Sequence, residues 1–555
     1  MTNQEIAEVF ELLAQVMDIH GENSFKTKTY STAAYRIEKL GTPISEMLPE
    51  QIRSISGIGD AVSQKILELV QTGKLQVLED YLAQTPAGVL DMLKIKGLGP
   101  KKIALLWKEL QIESLGELEY ACNENRLLSL KGFGAKTQLS ILNNLAFLQA
   151  NKGFYLWAEA EAVAEQISAI LLKAAPQALI AYTGAYYRLL PTLTTIHWVT
   201  TLDIEALSSI LESLNTLTVT SANNNTVMAT GEGVPRLEFQ CVSIDDFYTT
   251  QFKQSGSEAF IAAFEQQYTI PPQAASEQAI FEHNHIQYIP SALREVATIL
   301  ARAQQNTIPN LIIPSDVKGV IHSHSTWSDG VNTLEEMAVA ARDKGYEYLV
   351  ISDHSQAAFY ANGLTPERIM AQHQEIDQLN ARLAPFKIFK SIEADILYDG
   401  QLDYTPEVLQ QFDMVIASVH SNLKMNESKA MERLLTAIAN PYTTILGHPT
   451  GRLLLSREGY PVDHKVLIDA CVQHGVVIEI NAHPKRLDLD WTWIDYAIQQ
   501  GAMLSINPDA HSIKGIDMIT YGVWAAQKGG VNVSRNFSSL SLSAMEQYIA
   551  QRKAH

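Results

Sequence analysis

The sequence predicts a multi-domain protein: helical domains at the N-terminus, an α+β middle, and a C-terminal unit built on parallel strands. Three observations predict this. A Gly-apolar-Gly element followed by an amphipathic helix occurs three times in the first 150 of 555 residues. Residues 181–245 alternate β-rich runs such as ALIAYTGAYY, TIHWVTT and TVMAT. Over the last 240 or so residues, short apolar runs each end in a metal-ligating side chain, as in YLVISDH, FKIFKSIEAD, FDMVIASVH, TTILGH and AMLSINPDAH. Continuous apolar runs ending in polar residues are the pattern of buried parallel strands that deliver function at their C-terminal ends. A chain of this length exceeds one hydrophobic core.

The N-terminal repeats are SISGIGDAVSQKILELV (54–70), KIKGLGPKKIALLWKEL (94–110) and SLKGFGAKTQLSILNNL (129–145). Gly57/Gly59, Gly97/Gly99 and Gly132/Gly134 permit a tight turn between two helices. Such a turn leaves backbone N–H groups at a helix N-terminus, where an anion can sit. These segments resemble helix-hairpin-helix motifs, which hold the DNA backbone without reading its sequence. Lys101, Lys102 and Lys136 follow the glycines and add charge. Over residues 1–110 acidic residues slightly outnumber basic ones, so any grip on DNA is local.

The ligand series is His322, His324 and Asp329 in HSHSTWSDG, His354 in SDH, Glu393 in SIEAD, His420 in SVH, His448 in GHP, and Asp509 with His511 in DAH. Imidazoles and carboxylates in this number can hold two or three divalent ions, with manganese, zinc or iron suited to the donors. The set resembles the PHP (polymerase and histidinol phosphatase) domain over about residues 315–555. The resemblance implies a distorted (β/α)7 barrel and a metal-dependent phosphoesterase. Glu393 is the expected bridging carboxylate, and Glu393, His324 and Asp509 are the residues expected to carry catalysis. His483 is expected beside the ligands or facing substrate. Arg452, Arg457 and Arg486 follow strand ends, where they could hold flanking phosphates or equally form surface ion pairs.

The remaining segments carry a second resemblance. NSFKTKTYSTAAYRIEKL (23–40), LWKELQIESLGELEYA (106–121), GAYYRLLPTLTTIHWVTT (184–201), FKQSGSEAF (252–260) and IQYIPSALRE (286–295) are similar, in order, to bacterial family X DNA polymerases fused to a PHP domain. The implied organisation is a lyase-like, 5′-phosphate-binding helical domain at 1–80, a helix-hairpin-helix region at 81–150, fingers, palm and thumb at 151–305, and the PHP domain at 315–555. The palm departs from that family. Thr195 and His197 stand where its paired aspartates belong, and Glu238 falls at the third carboxylate. A hydroxyl and an imidazole cannot replace two carboxylates around Mg²⁺.

Composition narrows the remaining classes. No apolar run approaches the roughly 20 residues of a membrane span, and the first helix reads as amphipathic, not as a signal peptide. Cys122, Cys241 and Cys471 lie far apart and read as buried thiols in a reducing cytoplasm. A net charge of −19 argues against non-specific coating of nucleic acid. The expectation is a cytoplasmic, monomeric, metal-dependent 3′–5′ exonuclease of DNA repair, acting on gapped, nicked or 3′-ended DNA, with an inactive palm. The alternatives are an active family X DNA polymerase/exonuclease and a small-molecule phosphomonoesterase resembling histidinol phosphatase.

Overall fold

A computed structural model describes residues 1–553, the side chains of residues 128 and 129 excepted. The chain divides into two compact units, Met1–Lys152 and Gly153–His555.

The first unit is helical and has two cores. Ile6, Phe10, Leu13, Ile37, Ile58, Val62 and Ile66 form one, and Val89, Ile95, Ile103, Leu106, Leu118 and Ile141 form the other. The three repeats adopt one geometry. The apolar residue between the glycines (Ile58, Leu98, Phe133) is buried, and the glycines on either side are exposed. The first glycine of each repeat lies in the left-handed region, at φ +90° in Gly57, +85° in Gly97 and +91° in Gly132, where an L side chain is disfavoured. The second glycine is extended and caps the following helix, Asp60–Thr72, Pro100–Leu110 or Ala135–Ala150, without a side-chain hydrogen bond. A Cβ at Gly59, Gly99 or Gly134 would meet nothing within 4 Å. That second position is therefore free of strain, and only close approach of a ligand would require glycine there.

The second unit begins with a two-stranded ribbon, β1 (Tyr155–Leu156) with β3 (Thr192–Leu193), and a five-stranded mixed sheet. The sheet comprises β2 (Ile180–Thr183), β4 (Thr195–Thr200), β5 (Thr218–Asn223), β6 (Thr226–Thr230) and β7 (Arg236–Cys241), in the order β2-β4-β7-β6-β5. Only β4 and β7 run parallel. Helices Trp157–Ala174 and Ile204–Glu212 pack on it around Trp198 and Phe239. A helical segment follows, centred on the aromatic cluster Phe252, Phe260, Phe264 and Phe281.

Seven parallel strands then form a barrel in sequence order: β8 (Gly319–Ser323), β9 (Tyr348–Ile351), β10 (Lys387–Asp395), β11 (Met414–Ser418), β12 (Ile445–Leu446), β13 (Val477–Asn481) and β14 (Leu504–Asn507). The ring closes just beyond the strands, where His324 N–H donates to the Ala510 carbonyl at 2.8 Å and Ala510 N–H to that of His322 at 3.2 Å. Alternation along the strands sorts side chains by layer. Ile321, Val350, Phe389, Ile416, Ile445 and Val477 share one cluster with Phe537 and Met545 from the chain's end. Two residues further along stand the buried serines Ser323, Ser352, Ser391 and Ser418, with Ser505 on β14. Beyond them stand His354, Glu393, His420 and Asp509. Glycine occupies 447 because a Cβ there would lie 2.2 Å from the Ser418 hydroxyl.

The middle segment and the barrel are welded by a buried charge cluster. Lys528 donates to Glu295 at 2.8 Å and to the Arg188 carbonyl at 2.8 Å, while Arg188 pairs with Glu295 at 2.8 Å. Trp157 and Trp524 rings meet at 4.2 Å beside it. Nearby, the fully buried Arg294 pairs with Glu277 at 2.6 Å, packed among Phe252, Phe281 and Tyr288. Arg294→Ala should cost about 3–5 kcal/mol, because Glu277 would be left as an uncompensated buried charge. Chemical denaturation followed by tryptophan fluorescence checks this, and an unchanged midpoint would mean that Glu277 finds another partner.

Candidate metal centre

The barrel's C-terminal end collects all nine predicted ligands. Glu393 is the hub: its Oε1 lies 3.0 Å from His448 Nε2, 3.1 Å from His420 Nε2 and 3.2 Å from His322 Nε2. Its Oε2 lies 3.0 Å from His354 Nδ1 and 3.6 Å from His324 Nε2. Asp509 Oδ1 approaches His324 Nε2 at 3.2 Å, and Asp329 Oδ1 approaches His511 Nε2 at 3.3 Å. Three overlapping groups bring their donor atoms within 4.8 Å of one another: His324–Asp329–His354–His511, His322–His324–Asp509 and His354–Glu393–His420.

Backbone geometry explains how neighbouring residues reach one point. His322 should face away from Ile321, yet a register irregularity between Ile321 and Ser323 and a φ of +64° turn its imidazole toward Glu393. His448 at φ +23° and Asp509 at φ +52° also lie in the left-handed region. Such conformations persist when surrounding structure over-determines them, and they cluster at functional sites.

The donors fit divalent cations. Nε2 of His322, both ring nitrogens of His324, Nδ1 of His354 and His448, and Oε2 of Glu393 are buried without a hydrogen-bond partner among the described residues. Buried polar atoms are otherwise almost always paired, and imidazole with carboxylate is a transition-metal donor set. Burial alone would raise the Glu393 carboxyl, but His420, His322 and His354 hold it well below its ordinary value. Burial and the neighbouring His511 and His354 press His324 down to about 3, so its ring stays neutral with lone pairs available.

Two carboxylates absent from the predicted set orient the ligands. Glu479 Oε2 lies 2.7 Å from His322 Nδ1, and the group also receives Asn507 Nδ2, Asn481 Nδ2 and the His448 N–H. Asp395 Oδ1 lies 2.6 Å from His420 Nδ1. Each fixes the ring so that Nε2 points to Glu393. Their signal in the sequence was an acid on the inward alternation of an apolar strand, alone in VIEIN and two residues after Glu393 in IEAD. Asp353 does a similar task for the His324 loop, receiving N–H and hydroxyl bonds from both Ser325 and Ser328.

The three arginines separate. Arg486 Nε reaches 3.8 Å from Asp509 Oδ2. Arg457 is committed to the Gly451 carbonyl. Arg452 is bound by Asp490 and by the carbonyls of Arg486 and Leu487, so its guanidinium braces a turn. His483 stands beside Asp509 and Arg486, its Nδ1 accepting from Lys485 N–H at 3.1 Å.

In the five-stranded sheet, His197 pairs with Glu238 and Thr195 with Arg236 across β4 and β7. His197 Nε2 lies 3.8 Å from Glu238 Oε2. No group of three metal-donor residues includes these positions among the described residues.

Fold and site together define a PHP-domain protein with helix-hairpin-helix domains. Residues 321–483 match the PHP domain family, residues 1–75 a helix-hairpin-helix domain and residues 89–145 a SAM-like helix-hairpin-helix tandem. The DNA polymerase/3′-5′ exonuclease PolX of Bacillus subtilis is 34% identical, with 99% of both chains aligned. The chain belongs to the PolX group of family X DNA polymerases. A probable phosphatase of Caldanaerobacter subterraneus is 30% identical over 29% of this chain and 60% of its own length. The probable phosphatase YcdX of Escherichia coli O127:H6 is 28% identical over 29% of this chain and 62% of its own.

Glu479→Gln and Asp395→Asn should each lower Mn²⁺ or Zn²⁺ affinity about 10–100-fold without unfolding the barrel. Calorimetric titration of apo-protein measures this, and wild-type binding in both variants would show that these carboxylates do not set the rings.

Proposed function

We propose that this protein is a metal-dependent 3′–5′ exonuclease that trims DNA ends during repair, and that its polymerase palm is inactive. The observation that carries the reading is the nine-residue donor cluster around Glu393, in one chain with three exposed glycine turns of helix-hairpin-helix form. The PolX relative is named for both polymerase and 3′-5′ exonuclease activity. In the palm, one carboxylate, Glu238, stands where two-metal nucleotidyl transfer needs three, and Arg188, at the end of the GAYYR turn, is held by Glu295. We assign residues 1–80 to 5′-phosphate binding, 81–150 to DNA backbone contact, 151–305 to a palm-derived scaffold and 315–555 to phosphoester hydrolysis. Among the described residues no helix is long and apolar enough to cross a membrane.

Two or three bound cations would supply Lewis acidity toward a phosphodiester and its water nucleophile. Glu393, His322, His324, Asp329, His354, His420, His448, Asp509 and His511 would hold them. Asp329 and His511 are the most exposed of these, at 23% and 37% of their side chains, against 0–11% for the others. A phosphodiester therefore enters over the Asp329–His511 edge. Arg486 is placed to pair with a phosphate there, since its tie to Asp509 is long enough to yield. The probable phosphatases aligned with the barrel support a second reading, hydrolysis of a small phosphomonoester.

With Mn²⁺ and a 5′-labelled primer–template, wild-type protein should shorten the primer. Glu393→Ala, His324→Ala and Asp509→Ala should reduce that rate at least 100-fold. Wild-type digestion by the Glu393 variant with metal still bound would show that the site is elsewhere. In the same assay dNTPs should give no templated extension. Extension that disappears in Glu238→Ala would show that the palm is active.

Replacing Gly97 and Gly99 with valine should weaken binding of gapped DNA about tenfold and flatten its salt dependence, while hydrolysis of bis-(p-nitrophenyl) phosphate persists. Fluorescence anisotropy across a salt series measures the first effect. Unchanged affinity would remove the helix-hairpin-helix turns from DNA binding.

A further inference from the structure

One feature at the barrel mouth is unaccounted for by metal binding. The turn that follows ligand His354 ends in two large aromatic rings directed to solvent, Phe359 at 85% and Tyr360 at 58% exposure. Two large exposed rings side by side form a contiguous apolar surface, the kind of surface that can mark a binding site. The turn bearing them is held firmly at its base. Ser355 N–H donates to the Glu393 carbonyl at 3.0 Å, Gln356 N–H to the Tyr404 hydroxyl at 3.0 Å and Ala357 N–H to Asp403 at 2.6 Å. Leu364 N–H donates back to the His354 carbonyl at 2.9 Å, closing the loop on the ligand itself. Gly363 packs so tightly that a Cβ would lie 1.9 Å from the Ser355 carbonyl oxygen. The backbone that carries the rings is therefore anchored beside the cluster.

That place is beside the donors. The Tyr360 ring centroid lies 6.5 Å from that of His354, and Phe359 stands edge-on to Tyr360 at 6.0 Å and 78°. An apolar ring about one sugar's width from a phosphodiester site matches how nucleic-acid enzymes hold unpaired bases, by stacking without reading their identity.

We propose that Phe359 and Tyr360 form a stacking platform for the unpaired base of the 3′-terminal nucleotide whose phosphodiester enters the metal cluster. The proposal rests on the nuclease reading and deepens it. It makes the enzyme prefer a frayed or single-stranded end, where the base is free to stack, over a paired one. The two residues are specificity-determining, and they contact the base and not the reacting phosphate.

The test uses full-length protein in EDTA and an oligonucleotide carrying 2-aminopurine at its 3′ end and a second dye at its 5′ end. At concentrations where 5′-dye anisotropy saturates, wild type should quench 2-aminopurine severalfold. Phe359→Ser/Tyr360→Ser should bind without quenching, and Tyr360→Phe should quench like wild type. With Mn²⁺, wild type should show KM about tenfold lower for an oligonucleotide with a normal 3′ nucleotide than for one whose terminal base is replaced by hydrogen. The double-serine variant should bring that ratio near one. Hydrolysis with no quenching and no base preference overturns the platform and leaves the nuclease reading standing. Quenching without hydrolysis in Mn²⁺ overturns the nuclease reading and keeps the platform. No saturation of anisotropy overturns both. A dimer in sedimentation that the double-serine variant dissolves would assign the rings to a second copy of this chain, also overturning the platform.

Discussion

The barrel's C-terminal end depends on one buried carboxylate. Glu393 has five imidazole nitrogens within 3.6 Å, on His322, His324, His354, His420 and His448. A lone ionised carboxylate at that depth would be driven to its neutral form by desolvation. The imidazoles hold it ionised, and they are too crowded for every nitrogen to be satisfied by protein, which is why so many donors remain orphaned. A half-satisfied polar network is costly in a low-dielectric interior, and the donors lie close enough together that shared cations could satisfy them. The serine layer beneath, and Glu479 and Asp395 beside it, extend the polar zone just far enough to position the rings.

The architecture carries the strain that this convergence requires. Three ligands sit at positive φ, each costing of order 1–3 kcal/mol. His322 and Asp509 flank the seam where the barrel closes, the His322 carbonyl accepting from Ala510 N–H and His324 N–H donating to the Ala510 carbonyl, while His448 is held by its N–H bond to Glu479. The apolar layer at the opposite end, sealed by Phe537, Met545 and Ile549, supplies stability away from the chemistry.

The middle segment uses buried charge differently. Arg188, which follows the turn that begins at Gly184, pairs with Glu295, which also receives Lys528 from the barrel. This charge cluster forms a joint between two structural layers of the second unit. Gly184 lies against His197, where a Cβ would come 2.6 Å from Nδ1, so the turn packs onto the imidazole.

The sequence by itself determined the helical repeats, the parallel-strand unit and the nine donor residues that gather at the barrel's C-terminal end, because each is local: glycine turns precede helices, and apolar runs end in a donor at a strand's end. It also singled out Thr195 and His197, which face Arg236 and Glu238 across β4 and β7. What it could not decide is contact between residues far apart in the chain. Glu479 is 157 residues from His322, and only barrel closure brings its carboxylate to that ring. Asp395 was within a quoted motif, but its role appears only when β10 and β11 align to present it to His420. Arg452, Arg457 and Arg486 looked equivalent as charges following strand ends, and three-dimensional packing separated them by what each guanidinium meets. The rings of Phe359 and Tyr360 carried no periodic signal, since exposure beside a buried cluster is a property of the folded surface alone.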